Sequence, residues 1–143
     1  MSNSRTELNT LGEFGLIDRI RQQFPIKQST SVLGIGDDGA VLAPDPQKQT
    51  VVSTDLLLEG IHFDLSFHPL SHLGYKAVAV NVSDVAAVNA IPRQVTLSIG
   101  LSNRFSLEAI DALMDGVRAA CEAYKVDLVG GDTTSSGAGL VLS

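Results

Sequence analysis

Positive charge is scarce in this sequence. Lysine and arginine together number ten against sixteen aspartates and glutamates, for a formal net charge of -6. The cations are scattered, without a basic cluster or stripe, which argues against a nucleic-acid surface. Cysteine is nearly absent as well. Cys121 stands alone and cannot form an internal disulfide, so a cytoplasmic location is expected. No apolar run approaches the ~20 residues of a membrane span. The opening MSNSRTELNT lacks the apolar stretch of a secretory signal. No Gly-x4-Gly-Lys-Ser/Thr loop occurs, which excludes a P-loop kinase.

What is present fits one folded domain. The chain has 143 residues, 44% hydrophobic and 18% charged, the balance of a globular protein with a real core. An acidic chain that meets phosphates must do so through backbone amides or bridging cations. The alternative reading of the charge is solubility alone.

Periodicity outlines the elements. Thr10 to Glu13 has the form of a capping box, and Phe14, Ile17, Ile20 and Phe24 follow at helical spacing until Pro25 ends the helix. From Val32 to Thr54 short β-type runs (VLGIG, AVLA, TVVST) alternate with glycine and a Pro44-Asp45-Pro46 turn. Residues 71–90 are rich in alanine and valine and predict a helix buried on most sides, with Asn89 available as a left-handed cap. VTLSIGL (95–101) predicts a core strand, and 106–125 an amphipathic helix with Leu107, Ile110, Leu113, Val117, Ala120 and Tyr124 on one face. Cys121 in that helix reads as packing. VDLVGG and GLVLS predict two further strands. The sum is an α/β fold, a mixed β-sheet covered by helices.

The chain stops at Leu140-Val141-Leu142-Ser143, inside an apolar run. Domains seldom finish in mid-strand, so residues 1–143 are expected to be an amino-terminal domain truncated before a second one. A short terminal strand paired inside the sheet is the other possibility.

Four aspartate sites carry the chemistry: Gly34-Ile-Gly-Asp37-Asp38-Gly39, Ser53-Thr54-Asp55, Ser83-Asp84 and Gly130-Gly131-Asp132-Thr133-Thr134. Carboxylates with hydroxyls are the oxygen ligands that magnesium prefers. Adjacent glycines let a backbone approach a phosphate. Each fragment alone also suits an ordinary turn. Asp84 is the only ionisable residue between Lys76 and Arg93, so in a buried helix it needs a partner. That partner is a metal, with Asn81 three residues earlier sharing the site, or else the end of a neighbouring element that Asp84 caps, or a cation such as Lys76 or Arg93.

In order and spacing these fragments resemble the thiamine-monophosphate kinases. The resemblance rests on Gly12-Glu13-Phe14, Gly34-Ile-Gly-Asp-Asp38, Ser53-Thr-Asp55, Glu59-Gly-Ile-His62-Phe63, Tyr75 through Asn81-Val-Ser-Asp84, and Gly130-Gly-Asp132-Thr-Thr134. It runs from about Leu11 to the end of the chain. It implies the fold shared with aminoimidazole ribonucleotide synthetase: an amino-terminal α/β domain that dimerises, followed by a second domain. By the same resemblance Asp38, Ser53, Thr54, Asp55, Asp84 and Asp132 would hold the Mg2+ ions that bind ATP. Gly131 and Asp132 would touch the nucleotide, and His62 the thiamine monophosphate. Asp37 has the weaker claim beside Asp38, because neighbouring side chains of an extended segment point apart. His68 and His72 match no motif. After Asp84 the sequence reads Val85-Ala-Ala-Val88-Asn89-Ala90 where the family commonly has Leu-Ala-Ala-Met-Gly-Ala, a departure that spares every proposed ligand.

The implied reaction is ATP-dependent phosphorylation of thiamine monophosphate to thiamine diphosphate by the complete enzyme, the isolated fragment being inactive. The alternatives are another ATP-dependent enzyme of the same superfamily and a non-catalytic dimerisation and metal-binding module. A homodimer is expected through the sheet, with Val95, Leu97, Ile99 and Leu101 on the face that a partner covers.

Overall fold

The computed structural model describes residues 6–143. Its helices follow the periodicity closely. α1 spans Gly12–Arg21, α2 Leu70–Ala87 and α3 Leu107–Tyr124. The Ser106 hydroxyl caps α3 by accepting from the Ala109 N–H at 3.3 Å. α2 stops as expected at Asn89, which has φ +58°. The Asn89 N–H bonds the Ala86 carbonyl and the Ala90 N–H bonds that of Val85, the paired bonds of a Schellman cap. The capping box before α1 does not form. Thr10 lies inside a short 3-10 turn, Leu8–Thr10, and its hydroxyl donates to the Glu7 carbonyl. The Glu13 side chain, the other half of that box, lies outside the described residues.

Strand structure before α2 is thinner than the sequence suggests. β1 (Ser31–Leu33) and β2 (Val41–Leu42) form a small antiparallel sheet, and β3 is Leu57–Leu58 alone. The 50–54 run is not a strand. Branched residues favour a strand only beside a hydrogen-bonding neighbour; the run has none among the described residues, and Val52 is 86% exposed.

The main sheet adds β4 (Gln94–Leu101), β5 (Asp127–Ser135) and β6 (Val141–Leu142), in the order β3-β6-β4-β5. β4 and β5 run parallel, with α3 as the crossover, and β6 is antiparallel to both of its neighbours. The final apolar run is therefore an inner strand, with Leu140 and Leu142 fully buried. The β4–β5 register slips once: Val95 faces Leu128 but Thr96 faces Gly130, leaving Val129 as an extra residue on β5.

α2 and α3 pack on each other and share one hydrophobic core with the sheet. Their backbones touch. A Cβ on Gly74 would overlap the Leu113 carbonyl, and one on Gly116 would overlap that of Ser71. Ile99 and Leu101 belong to this core, and Val95 and Leu97 pack against it. These four residues thus meet the helices, not a partner subunit, which corrects the expected dimer face: a lysine there would unfold the chain. The opposite face, with Thr96, Ser98, Asp132 and Thr134, is open. α2 is also less enveloped than expected. It buries Leu73, Gly74, Ala77, Val78 and Val82, while most of 83–89 is exposed.

Cys121 is buried, and burial pushes its thiol up to about 11, so it is packing and not a nucleophile at neutral pH. Among the described residues no helix is long and apolar enough to cross a membrane.

Gly116→Ala forces a methyl into the Ser71 carbonyl, and backbone cannot rotate away as a side chain can. The substitution is expected to cost at least the about 3 kcal/mol at the top of the usual overpacking range. Urea unfolding of the two proteins measures it, and an unchanged midpoint would contradict a backbone-to-backbone helix contact.

Candidate functional site

The open face of the sheet gathers polar oxygens in a row. Directly opposed residues of neighbouring strands share a face. Ser98 on β4 is opposed to Asp132 on β5, and on its other side Ser98 and Ser143 exchange both backbone hydrogen bonds, at 2.6 and 2.9 Å. The Ser143 hydroxyl lies 3.5 Å from that of Thr54. Thr54, Ser143, Ser98 and Asp132 thus cross three strands, with roughly 10 Å (two strand spacings) from Ser143 to Asp132.

One end of the row is tied to α2. The Asn81 amide oxygen accepts the Asp55 N–H at 3.1 Å while its NH2 holds the Ala77 carbonyl at 2.9 Å. Asp84 follows one turn later on the same side of the helix. It is exposed, contrary to the expectation of a buried carboxylate, because the last turn of α2, after the buried Val82, runs clear of the core. Neither Lys76 nor Arg93 pairs with it: Lys76 holds the His62 carbonyl and Arg93 the Gln28 side chain.

Asp132 accepts its neighbour Thr133 N–H at 2.8 Å and is exposed. Gly131 has a packing reason for its identity, since a Cβ there would overlap the Leu97 carbonyl across the parallel pair. Ser53 lies exposed in the irregular segment before Asp55. Asp38 lies exposed in the loop after β1, where its N–H donates to the Asp37 carboxylate at 2.9 Å. Among the described residues no hydrogen bond or ion pair joins Asp38 to Asp55, Asp84 or Asp132. His62 occupies the turn after β3, with its Nδ1 accepting the Leu58 N–H at 3.0 Å. Glu59 in the same turn pairs with Arg104, whose guanidinium holds the Glu59 carboxyl below the usual range. His68 takes no part, and His72 lines a cavity of about 340 Å³ with Ser71, Tyr75 and Asp115, on the helix layer away from this row.

The donor set fits magnesium in kind. Every side-chain atom offered along the row and at Asp55 and Asp84 is a hard oxygen, and most are open to solvent. No three His, Cys, Asp or Glu side chains converge into a cage among the described residues. Magnesium is ordinarily held by one or two carboxylates together with substrate phosphates, so a spread carboxylate set is consistent with it.

The sequence reading missed Ser98 and Asp127. Ser98 is signalled only by polar alternation along β4. Asp127 is the one charged residue buried among the described residues, at 3% exposure. It accepts the Lys27 N–H (3.0 Å), the Gln28 N–H (2.8 Å) and the Ser31 hydroxyl (2.8 Å), pinning the segment before β1 to the sheet. Its signal was a carboxylate flanked by valine and leucine at a strand start.

Residues 36–143 match the family described as AIR synthase related protein, N-terminal domain. The thiamine-monophosphate kinase of Bacillus subtilis (strain 168) is 35% identical over 133 residues, which are 93% of this chain and 41% of that enzyme. The crystal structure of thiamine-monophosphate kinase from Stenotrophomonas maltophilia K279a superposes with a TM-score of 0.76 at 41% identity, over 92% of this chain and 40% of that one. A structure described as AaThiL complexed with AMPPCP and TMP gives a TM-score of 0.59 at 30% identity, over 99% and 43%. The chain therefore spans about two fifths of the length of these relatives.

Asp127→Ala leaves three part-buried donors without their charged acceptor, each bond worth about 1.5–3 kcal/mol. Loss of cooperative unfolding, or a large drop in denaturation midpoint, is the expected outcome. Faster hydrogen exchange at Lys27 and Gln28 than elsewhere in the same protein would place the damage at this pin.

Proposed function

The chain belongs to the AIR synthase related protein family as an N-terminal domain, and from that membership we propose that it forms the metal- and nucleotide-binding part of an ATP-dependent thiamine-monophosphate kinase. The observation that carries this reading is the row of oxygens on the open sheet face, to which two of the fragments that resemble the kinases contribute Thr54 and Asp132. The structural relative bound to AMPPCP and TMP supports the same pair of substrates.

In the reaction an oxygen of the substrate's phosphate attacks the γ-phosphorus of ATP. A P–O bond forms there, the bond from that phosphorus to the β,γ-bridging oxygen breaks, and ADP leaves with the electron pair. The nucleophile is already anionic at neutral pH, so no general base is needed. The task left to the protein is to bring two anions into line. Asp38, Asp55, Asp84 and Asp132, with the hydroxyls of Ser53 and Thr54, would hold Mg2+, which when bound neutralises phosphate charge. Gly131 and Asp132 would meet the nucleotide and His62 the thiamine monophosphate. The activity is assigned to the complete enzyme, with this chain alone supplying part of the site, in a cytoplasmic protein.

We also propose a homodimer, on a different surface from the one that the alternation of β4 suggests. Val32, Val41, Leu42, Val52 and Leu56 are all more than two fifths exposed outside the helix layer, an apolar area that a second copy would cover. The experiment is light scattering across a dilution series: twice 15.1 kDa is expected, and a constant 15.1 kDa excludes the dimer. Val52→Lys is expected to split the dimer and leave the monomer folded.

For the kinase reading, Asp84→Asn and Asp132→Asn in the complete enzyme are each expected to lower kcat/KM on the order of 100-fold or more, the scale of losing a preorganised electrostatic group. Both side chains are exposed, so the melting temperature without magnesium should not move. Full activity in either variant removes that residue from the site; lost activity with lost stability makes its role structural.

A further inference from the structure

The turn that carries His62 is held more tightly than an exposed loop requires. Leu58 N–H donates to His62 Nδ1 at 3.0 Å, and the His62 N–H returns a bond to the Leu58 carbonyl at 2.8 Å. Gly60, at φ +80°, turns the chain back so that its N–H reaches the Phe63 carbonyl at 2.8 Å. Phe63 and Leu57 on either side are buried. Glu59 is pinned to Leu140 in both directions: its N–H donates to the Leu140 carbonyl at 3.1 Å, and its carboxylate accepts the Leu140 N–H at 2.8 Å. From α2, Lys76 Nζ donates to the His62 carbonyl at 2.7 Å. This is a charge-assisted bond from a rigid helix to the residue whose ring is exposed.

A neutral imidazole that accepts at Nδ1 must carry its proton on Nε2. The Leu58 bond therefore decides what the exposed ring offers, a donor, and Lys76 holds the backbone that keeps ring and amide in register. We propose that Lys76 is a positioning residue: it locks His62 as the Nε2–H tautomer, which meets an anionic phosphate ester as a neutral hydrogen-bond donor. The donor part rests on the kinase reading above; the lock does not. Nδ1 is engaged by the backbone and is not available as a base.

The lock is read by NMR on the 15N-labelled 143-residue chain. A scalar coupling across the Leu58 N–H to His62 Nδ1 bond is expected, with the ring proton on Nε2. Lys76→Met, which keeps the aliphatic stem, should abolish or markedly weaken the coupling, and Lys76→Arg should restore it. No coupling in the unmodified chain, or an undiminished one in Lys76→Met, overturns the proposal; the first comparison needs no variant to fold. The donor role is read in the complete enzyme. There Lys76→Met should raise KM for thiamine monophosphate roughly tenfold, with KM for ATP unchanged and Lys76→Arg near normal. A lost coupling with unchanged KM for thiamine monophosphate overturns the donor role. Failure of the unmodified complete enzyme to phosphorylate thiamine monophosphate at all sinks the kinase reading and the donor role with it, while the coupling still decides the lock.

Discussion

The contact between the backbones of α2 and α3 at Gly74 and Gly116 is the constraint from which the rest of the architecture follows. Side chains normally hold two helices 8–10 Å apart. Here each helix gives up a side chain where the other presents a carbonyl, so the pair forms a thin, close layer. That layer buries Val78, Leu113, Met114 and Val117 against one face of a four-stranded sheet. α2 is fixed in the core as far as Val82, and its last turn projects past it. Asn81 lies beside the buried Val82 and Asp84 on the projecting turn, which is how one helix serves both the core and the polar site.

With the helices on a single side, the other face of the sheet is left to polar chemistry. Thr96, Ser98, Asp132 and Thr134 are exposed there while their strand neighbours Ile99 and Leu101 are buried. Alternation along β4 does both jobs without any special local geometry. The acidity of the chain also takes on a meaning. A face of carboxylates and hydroxyls repels phosphate unless cations intervene, and with lysine and arginine scarce the proposed function gives that work to metal ions.

What the sequence disclosed was the part governed by local rules. The limits of α3, the left-handed Asn89 and the core strand β4 follow from periodicity and capping, which act within a turn or two. Burial of charge did not follow. Asp84 looked buried because its sequence neighbours are apolar, yet those neighbours lie on a helix end that clears the core. Asp127 drew no notice, although it is the carboxylate that is buried; its partners Lys27, Gln28 and Ser31 lie about a hundred residues away in the chain. The apolar 50–54 run misled for the same reason, since a strand is made by its neighbour as much as by its own residues. The candidate ligands were legible as types. Their gathering was legible only in part: Ser143 and Ser98 connect Thr54 to Asp132 through strand pairings that no local pattern encodes.

One extra residue in β5 has a wider effect than its size suggests. Before Val129, the even-numbered Leu128 stands with Val95 on the helix side; after it, the even-numbered Gly130, Asp132 and Thr134 stand with Thr96, Ser98 and Gly100 on the open side. The strand changes step in mid-course. In an unbroken alternation a buried Leu128 would commit Asp132 to the same oily interior, where an unpaired carboxylate is not tolerated. The bulge lets one strand begin as a wall of the core and finish as part of the open polar face. Losing a single residue at that point would keep every proposed ligand in the sequence and turn one of them inside out.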